Sequence, residues 1–128
     1  ALVCDSTNVF NEEASGSEAS VRAGLDEVVG AATGRVLVTT FASNAARLQT
    51  LGHVAQDTGR RICVAGRSLD RILRVAKAAG YLRDFPEPVD FDQAMALPPR
   101  EVLIVATGGQ GEPRAALGRV AFGQHPLK

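Results

Sequence analysis

Four short apolar runs, each followed by a polar loop and then a stretch with helical spacing, set the limits on what this chain can fold into. The runs are Ala1–Cys4, Arg35–Thr40, Arg61–Ala65 and Glu101–Ala106. Strands buried on both faces read as near-continuous apolar segments, and regular alternation with helices brings successive strands parallel. The expectation is an α/β fold, a three-layer α/β/α arrangement around a mainly parallel, Rossmann-like sheet of about four strands. At 128 residues the chain has the length of one domain with a real core, so 1–128 is read as a single domain.

The helices follow from caps and spacing. Ser15 or Ser17 caps a helix from about Glu18 to Ala32, with Val21, Leu25, Val28, Val29 and Ala32 as its apolar face. Ser43 or Asn44 caps a second, whose core face is Leu48, Leu51, Val54 and Ala55. The third opens at Gly66-Arg67-Ser68 and turns Leu69, Ile72, Leu73, Ala76 and Ala79 to one side. Residues 81–100, with several prolines, break the rhythm and predict an extended segment followed by a short helix near Asp92–Ala96. Pro113 suits the first turn of a last helix running to about Phe122.

Composition excludes several classes. Hydrophobic residues make up 45% of the chain, too many for disorder; aromatics are only 5%, so Val, Leu, Ile and Ala must build the core. Fourteen basic residues balance fourteen acidic ones, so any nucleic-acid contact must come from a local patch. No apolar stretch approaches the ~20 residues needed to span a membrane, and no signal peptide is expected. Cys4 and Cys63 both lie in strand-like runs and are read as buried thiols of a cytosolic protein, not as a disulfide. The chain starts at Ala1, inside an apparent strand and without Met, and is read as an excised piece.

Ligands of such sheets gather at the carboxyl ends of the strands. Here those ends read Asp5-Ser6-Thr7-Asn8, Thr39-Thr40-Phe41-Ala42-Ser43-Asn44, Gly66-Arg67-Ser68 and Thr107-Gly108-Gly109-Gln110-Gly111-Glu112. Each alone is explained by capping and turn chemistry; all four on one edge point to an active or interface edge. The Gly-rich loop is a poor nucleotide motif. Arg114 stands at the third glycine position of G-x-G-x-x-G, no Lys-Ser or Lys-Thr follows, and Glu112 places a carboxylate where a phosphate would sit. His53 and His125 are the only histidines, 72 residues apart; His53 reads as an ordinary surface residue, and no metal site is visible. Arg71, Arg74 and Lys77, with Arg67 just before them, form a stripe on the third helix. It is either a phosphate-backbone contact or a solvated face, with Asp70 diluting its charge.

Taken together, the segments 2–8, 39–44 with Arg47-Leu48-Gln49, 65–68 and 106–113 resemble the β-CASP region of the ribonuclease J family, in order and spacing. Arg-Ala-Ala-Leu-Gly-Arg (114–119) and Phe-Gly-Gln-His-Pro (122–126) continue the match, and the resemblance covers essentially the whole chain. Gly109 departs mildly, standing where the family loop more often has Ser. The resemblance implies a β-CASP domain inserted into a metallo-β-lactamase domain of the same polypeptide, in a cytoplasmic RNA-processing and decay nuclease with two zinc ions. RNA would run in the cleft between the domains and be cut endonucleolytically, 5′ to 3′ from an end, or both, by attack of metal-activated water. Asp5 matches the family's motif A carboxylate, which orients a catalytic histidine outside this chain. Ser6, Thr40, Ser43, Asn44, Arg67, Ser68, Gly109, Gln110 and Gly111 are assigned to the cleft as strand-end residues. The zinc ions would lie outside the chain, which alone is expected to be inactive; the full-length protein is allowed a homo-oligomeric state and no membrane partner. The other readings are a nucleotide-binding or a protein-interaction module with a Rossmann-like fold.

Overall fold

The computed structural model describes residues 16–127. In chain order its elements are α1 (Glu18–Ala31), β1 (Val36–Thr39), α2 (Ala45–Asp57), β2 (Arg61–Ala65), α3 (Arg67–Ala78), α4 (Phe91–Ala96), a 3-10 turn (Pro99–Glu101), β3 (Val102–Ala106) and α5 (Ala116–Ala121). The strands form one sheet in the order β1-β3-β2, parallel throughout. Three of the four expected strands are therefore present, and the first apolar run, Ala1–Cys4, lies outside the described residues.

The most apolar run becomes the central strand, buried along its whole length. Side chains alternate across a strand, so β3 feeds two cores. Leu103 and Val105 meet Leu48, Leu51 and Val54 of α2 and Leu69 and Leu73 of α3. Val102, Ile104 and Ala106 meet Ala94 of α4 and Ala116 of α5 from the other side. The layers are α/β/α, as the sequence implies. Cys63 of β2 lies in the second core, where burial, helped by nearby Asp90, pushes its thiol up to about 11.

Local chemistry fixes most boundaries. Ser17 caps α1 by accepting from the Ser20 amide, and Asn44, not Ser43, caps α2 by accepting from the Arg47 amide at 2.9 Å. Asp90 and Gln93 close a capping box on α4. The segment between α3 and α4 crosses α2 at Gly52, where a Cβ would stand 2.7 Å from the Phe85 ring. It then runs along the outer side of β2, where the Val89 amide donates to Ile62 O at 2.9 Å.

Two expectations are corrected. Val28 is 68% exposed, whereas Val29 is buried and Leu25 packs on the core. Helix α1 lies on α2 and turns Arg22 and Asp26 inward beside Leu25 and Val29, because Arg22 bonds Asp57 and His53 of α2. Helix α5 starts at Ala116, not at Pro113. Strand-end Thr107 accepts from Ala116 N through its hydroxyl (3.3 Å) and from Leu117 N through its carbonyl (2.9 Å), which delays the first turn and leaves Pro113 in the loop.

Arg60 fastens the amino-terminal end of the sheet. It is 6% exposed and its guanidinium donates to four carbonyls, those of Gly34, Val102, Val29 and Ala32. Val29 and Ala32 lie at the carboxyl end of α1, where a cation is favoured. Replacing Arg60 by Ala leaves these carbonyls without their donor, and we expect a loss of about 3 kcal/mol or more in urea unfolding. Arg60→Lys should recover only part of it, since a lysine has fewer donors and no planar fork. A loss below about 1 kcal/mol for Arg60→Ala would show that water replaces the guanidinium at little cost.

Candidate nucleic-acid interface

Sheet register puts the strand ends level. Thr39 of β1 and Ala65 of β2 both lie opposite Ala106 of β3. The ladder continues one residue beyond, with Thr40 N donating to Ala106 O and Thr107 N to Ala65 O. The three loops that follow therefore leave the sheet from one edge.

They enclose a cavity of about 680 Å³ lined by Thr40, Asn44, Ser68, Gly109 and Gln110 among the residues singled out from the sequence. Phe41, Arg47, Thr107, Glu112 and Arg114 also line it. A second groove of about 940 Å³ adjoins it, sharing Ser68, Thr107 and Arg114, and takes in Arg67, Arg74, Lys77, Arg119 and His125. Ser43, Gly111 and Arg71 line neither. Asp5 and Ser6 lie outside the described residues.

The Gly-rich loop is shaped by packing. Gly108 has φ +118°, and a Cβ there would fall 2.9 Å from both Ala115 Cβ and Leu117 Cβ. Its absence lets α5 close onto the strand end. At Gly109 a Cβ would stand 2.9 Å from Thr39 Oγ1, so any larger side chain here would press on Thr39. Glu112 accepts from the Gln110 amide at 3.1 Å. That carboxylate occupies a donor a bound phosphate would need, which counts against the nucleotide reading.

The charges divide by partner. Arg47 forks onto Glu18 (2.7 and 3.4 Å), holding the Glu18 carboxyl below its usual value. In the stripe on α3, Arg74 pairs with Asp70 and Lys77 with Glu87, each at 2.8 Å. Arg67, Arg114 and Arg119 make no ion pair with another described residue. They are the cations facing the two cavities without an anionic partner there. Reasoning from helix periodicity misses Arg114 and Arg119, because both join the site only through the loop and the short helix α5.

His53 is not the plain surface residue expected. It is half-buried between α1 and α2, 2.9 Å from Gln49 Nε2 and 3.3 Å from Arg22 Nη1. His125 is buried, stacks edge-on against Phe91 with ring centroids 4.8 Å apart, and accepts from the Leu127 amide through Nδ1. It falls within the motif Phe-Gly-Gln-His-Pro, but nothing in that motif points to Phe91; the chain returning after α5 carries it there. Burial, with Arg119 adding to it, lowers its pKa. Among the described residues no group of three or more His, Cys, Asp or Glu is placed to hold a metal ion, so the implied zinc pair does not fit them. No helix among them is long and apolar enough to cross a membrane.

The family model described as ribonuclease J, beta-CASP domain, matches residues 33–127. Similar proteins include ribonuclease J of Sinorhizobium meliloti, 39% identical over 121 residues (94% of this chain, 22% of that protein). Ribonuclease J of Mycolicibacterium smegmatis is 41% identical over 125 residues (97% and 22%), and ribonuclease J2 of Bacillus subtilis 37% over 126 residues (98% and 23%). The chain thus spans about a fifth of the length of these curated relatives.

Two outcomes follow from this geometry. Gly109→Ala should destabilise the fold by roughly 1–3 kcal/mol. Combined with Thr39→Ala, the loss should be smaller than the sum of the single losses, and strict additivity in urea unfolding would show that the two do not touch. His125 has a folded pKa below its ordinary 6.5, so the unfolded chain takes up the proton first. Its contribution to stability is complete above pH 6.5 and is lost as pH falls through the lower folded value. His125→Gln should flatten the fall in stability between neutral and mildly acidic pH, and an unchanged slope would refute this.

Proposed function

Because the chain belongs to the ribonuclease J β-CASP family, we propose that it forms one wall of the RNA cleft of a longer RNA-processing and decay nuclease. The observation that carries the reading is the convergence of the family's motifs: Thr39–Asn44, Gly66–Ser68 and Thr107–Glu112 meet at one cavity because their strands end level. Arg114 there and Arg67 in the adjoining groove supply positive charge to the phosphodiester backbone, while Asn44, Ser68 and Gln110 supply polar contacts. The chemistry of phosphodiester hydrolysis, endonucleolytic or 5′ to 3′, falls to two zinc ions on a metallo-β-lactamase domain outside this chain. This chain's part is to bind and orient the strand. We further propose a cytoplasmic location, with homo-oligomer formation open to the whole protein.

The stripe on α3 takes a smaller part than its sequence suggests. Arg74 and Lys77 face the adjoining groove already paired, and Arg71 faces neither cavity. Asp5, on the resemblance alone, is the carboxylate that orients a catalytic histidine of the other domain.

The test is single-turnover cleavage of a 5′-monophosphorylated RNA by the full-length protein, with zinc content and folding measured alongside. Arg67→Ala with Arg114→Ala should weaken binding and lower the slope of log affinity against log salt by about 0.7 for each phosphate no longer neutralised. Asp5→Ala should cut the rate at least about tenfold with zinc retained. Affinity and salt slope unchanged in the arginine double variant would remove the RNA contact from this edge. Wild-type rates in Asp5→Ala would end the motif A assignment, and lost zinc would make Asp5 a direct ligand.

A further inference from the structure

We propose that Phe41 is the platform on which one nucleobase of the bound RNA stacks, so that this edge grips the strand by a base face as well as by phosphates. The inference rests on the RNA reading above. Phe41 is 56% exposed, and of the large exposed hydrophobic side chains among the described residues it is the one that lines the strand-end cavity. The other phenylalanines of the core region behave differently: Phe85 is buried, and Phe91 packs against the buried His125.

The ring is presented by a fixed backbone. Thr40 N holds the last rung of the sheet on Ala106 O at 3.0 Å, and Asn44 N closes the turn onto Phe41 O at 3.1 Å. Ala42, the next residue, packs on the core. An apolar ring left in solvent on a rigid mount is poorly explained by folding, since burying it would have stabilised the domain. What surrounds it decides the occupant. Thr40, Asn44, Gln110, Glu112 and Arg114 share the cavity, with the Glu112 carboxylate already taken up by the Gln110 amide, so the ring is a single aromatic face among polar and charged groups. A protein partner would be met by a contiguous apolar centre with a polar rim. A nucleotide instead offers a flat π-face attached to an anionic, hydrogen-bonding backbone, which is the complement of this lining.

The experiment uses the full-length, zinc-loaded protein and a set of 5′-monophosphorylated RNAs, each carrying one abasic nucleotide at a different position. Half-saturation in single-turnover cleavage is read separately from the maximal rate. Phe41→Ala should raise half-saturation roughly 5- to 150-fold, while Phe41→Tyr and Phe41→Trp stay near wild type. With the wild-type protein, one abasic position should raise half-saturation by a similar factor, and in Phe41→Ala that position should become silent. Phe41→Leu matching wild type, or Phe41→Ala keeping the full abasic penalty, would overturn the proposal and assign the ring to contact with the rest of the polypeptide. A wild-type protein that neither binds nor cuts RNA would overturn the RNA reading itself. Unchanged half-saturation in Phe41→Ala beside an active wild type would overturn the stacking alone.

Discussion

The site depends on one register. Thr39 and Ala65 lie opposite the same residue, Ala106, so three loops distant in sequence leave the sheet at one level. A one-residue slip of β1 or β2 would send its side chains to the wrong face as well as misplace its loop. The alternation of β1 and β2 opposes this, since Val36, Val38, Ile62 and Val64 are committed to one core and Leu37, Cys63 and Ala65 to the other. Arg60 reinforces the arrangement from the far end, tying the end of α1, the turn before β1 and the start of β3 through one buried guanidinium. The carboxyl edge is thereby relieved of much of the work of holding the sheet and can carry polar groups.

A chain with no net charge acquires a positive edge by distributing its partners unevenly. Arg22 is paired with Asp57, Arg47 with Glu18, Arg74 with Asp70 and Lys77 with Glu87. Arg67, Arg114 and Arg119 are left facing two adjoining cavities that share Ser68, Thr107 and Arg114. Field at a surface is set by which charges are compensated nearby; Arg47, Arg74 and Lys77 line the same cavities, but each already holds a carboxylate. Helix periodicity alone selects Arg71, Arg74 and Lys77, because it sees spacing and not partners; Glu87, ten residues beyond Lys77, enters only through the fold.

The layers and the described strands are legible in the sequence because apolar runs and caps are local. Asn44, Ser17 and Asp90 act within a few residues of themselves. Sequence misleads where a distant group intervenes. Val28 has as good a claim to the face of α1 as Val29 by hydrophobicity, but Asp57 and His53 of α2 draw Arg22 inward and roll Val28 outward. Pro113 suits a helix start, but Thr107 takes the amides of Ala116 and Leu117 and sets the start itself. Of the cleft residues selected as strand ends, Thr40, Asn44, Ser68, Gly109 and Gln110 share one cavity, with Arg67 next door. Phe41 stands inside one of the strand-end motifs, yet exposure, the property that singles it out, has no signature in a short turn. His125 cannot be found locally, since the Phe91 ring it meets is 34 positions away, 125 less 91.

The glycines of the loop after β3 explain how such an edge can be both rigid and polar. A glycine-rich loop at a strand end invites the idea of backbone amides cradling a phosphate. Here the loop is already occupied by its own protein: Glu112 takes the Gln110 amide, Gly108 admits α5, and Gly109 makes room for Thr39. Main-chain groups are thus spent on closing the structure. In the proposed RNA reading, recognition is left to side chains lining the cavity, Phe41, Asn44, Ser68, Gln110 and Arg114; Phe41 follows the last rung of the sheet and Asn44 caps α2. Side chains set on a fixed frame lose less freedom on binding than a loop that must order around its ligand. On that reading, the tight packing that made Gly108 and Gly109 necessary is the same feature that prepares the edge to receive a strand.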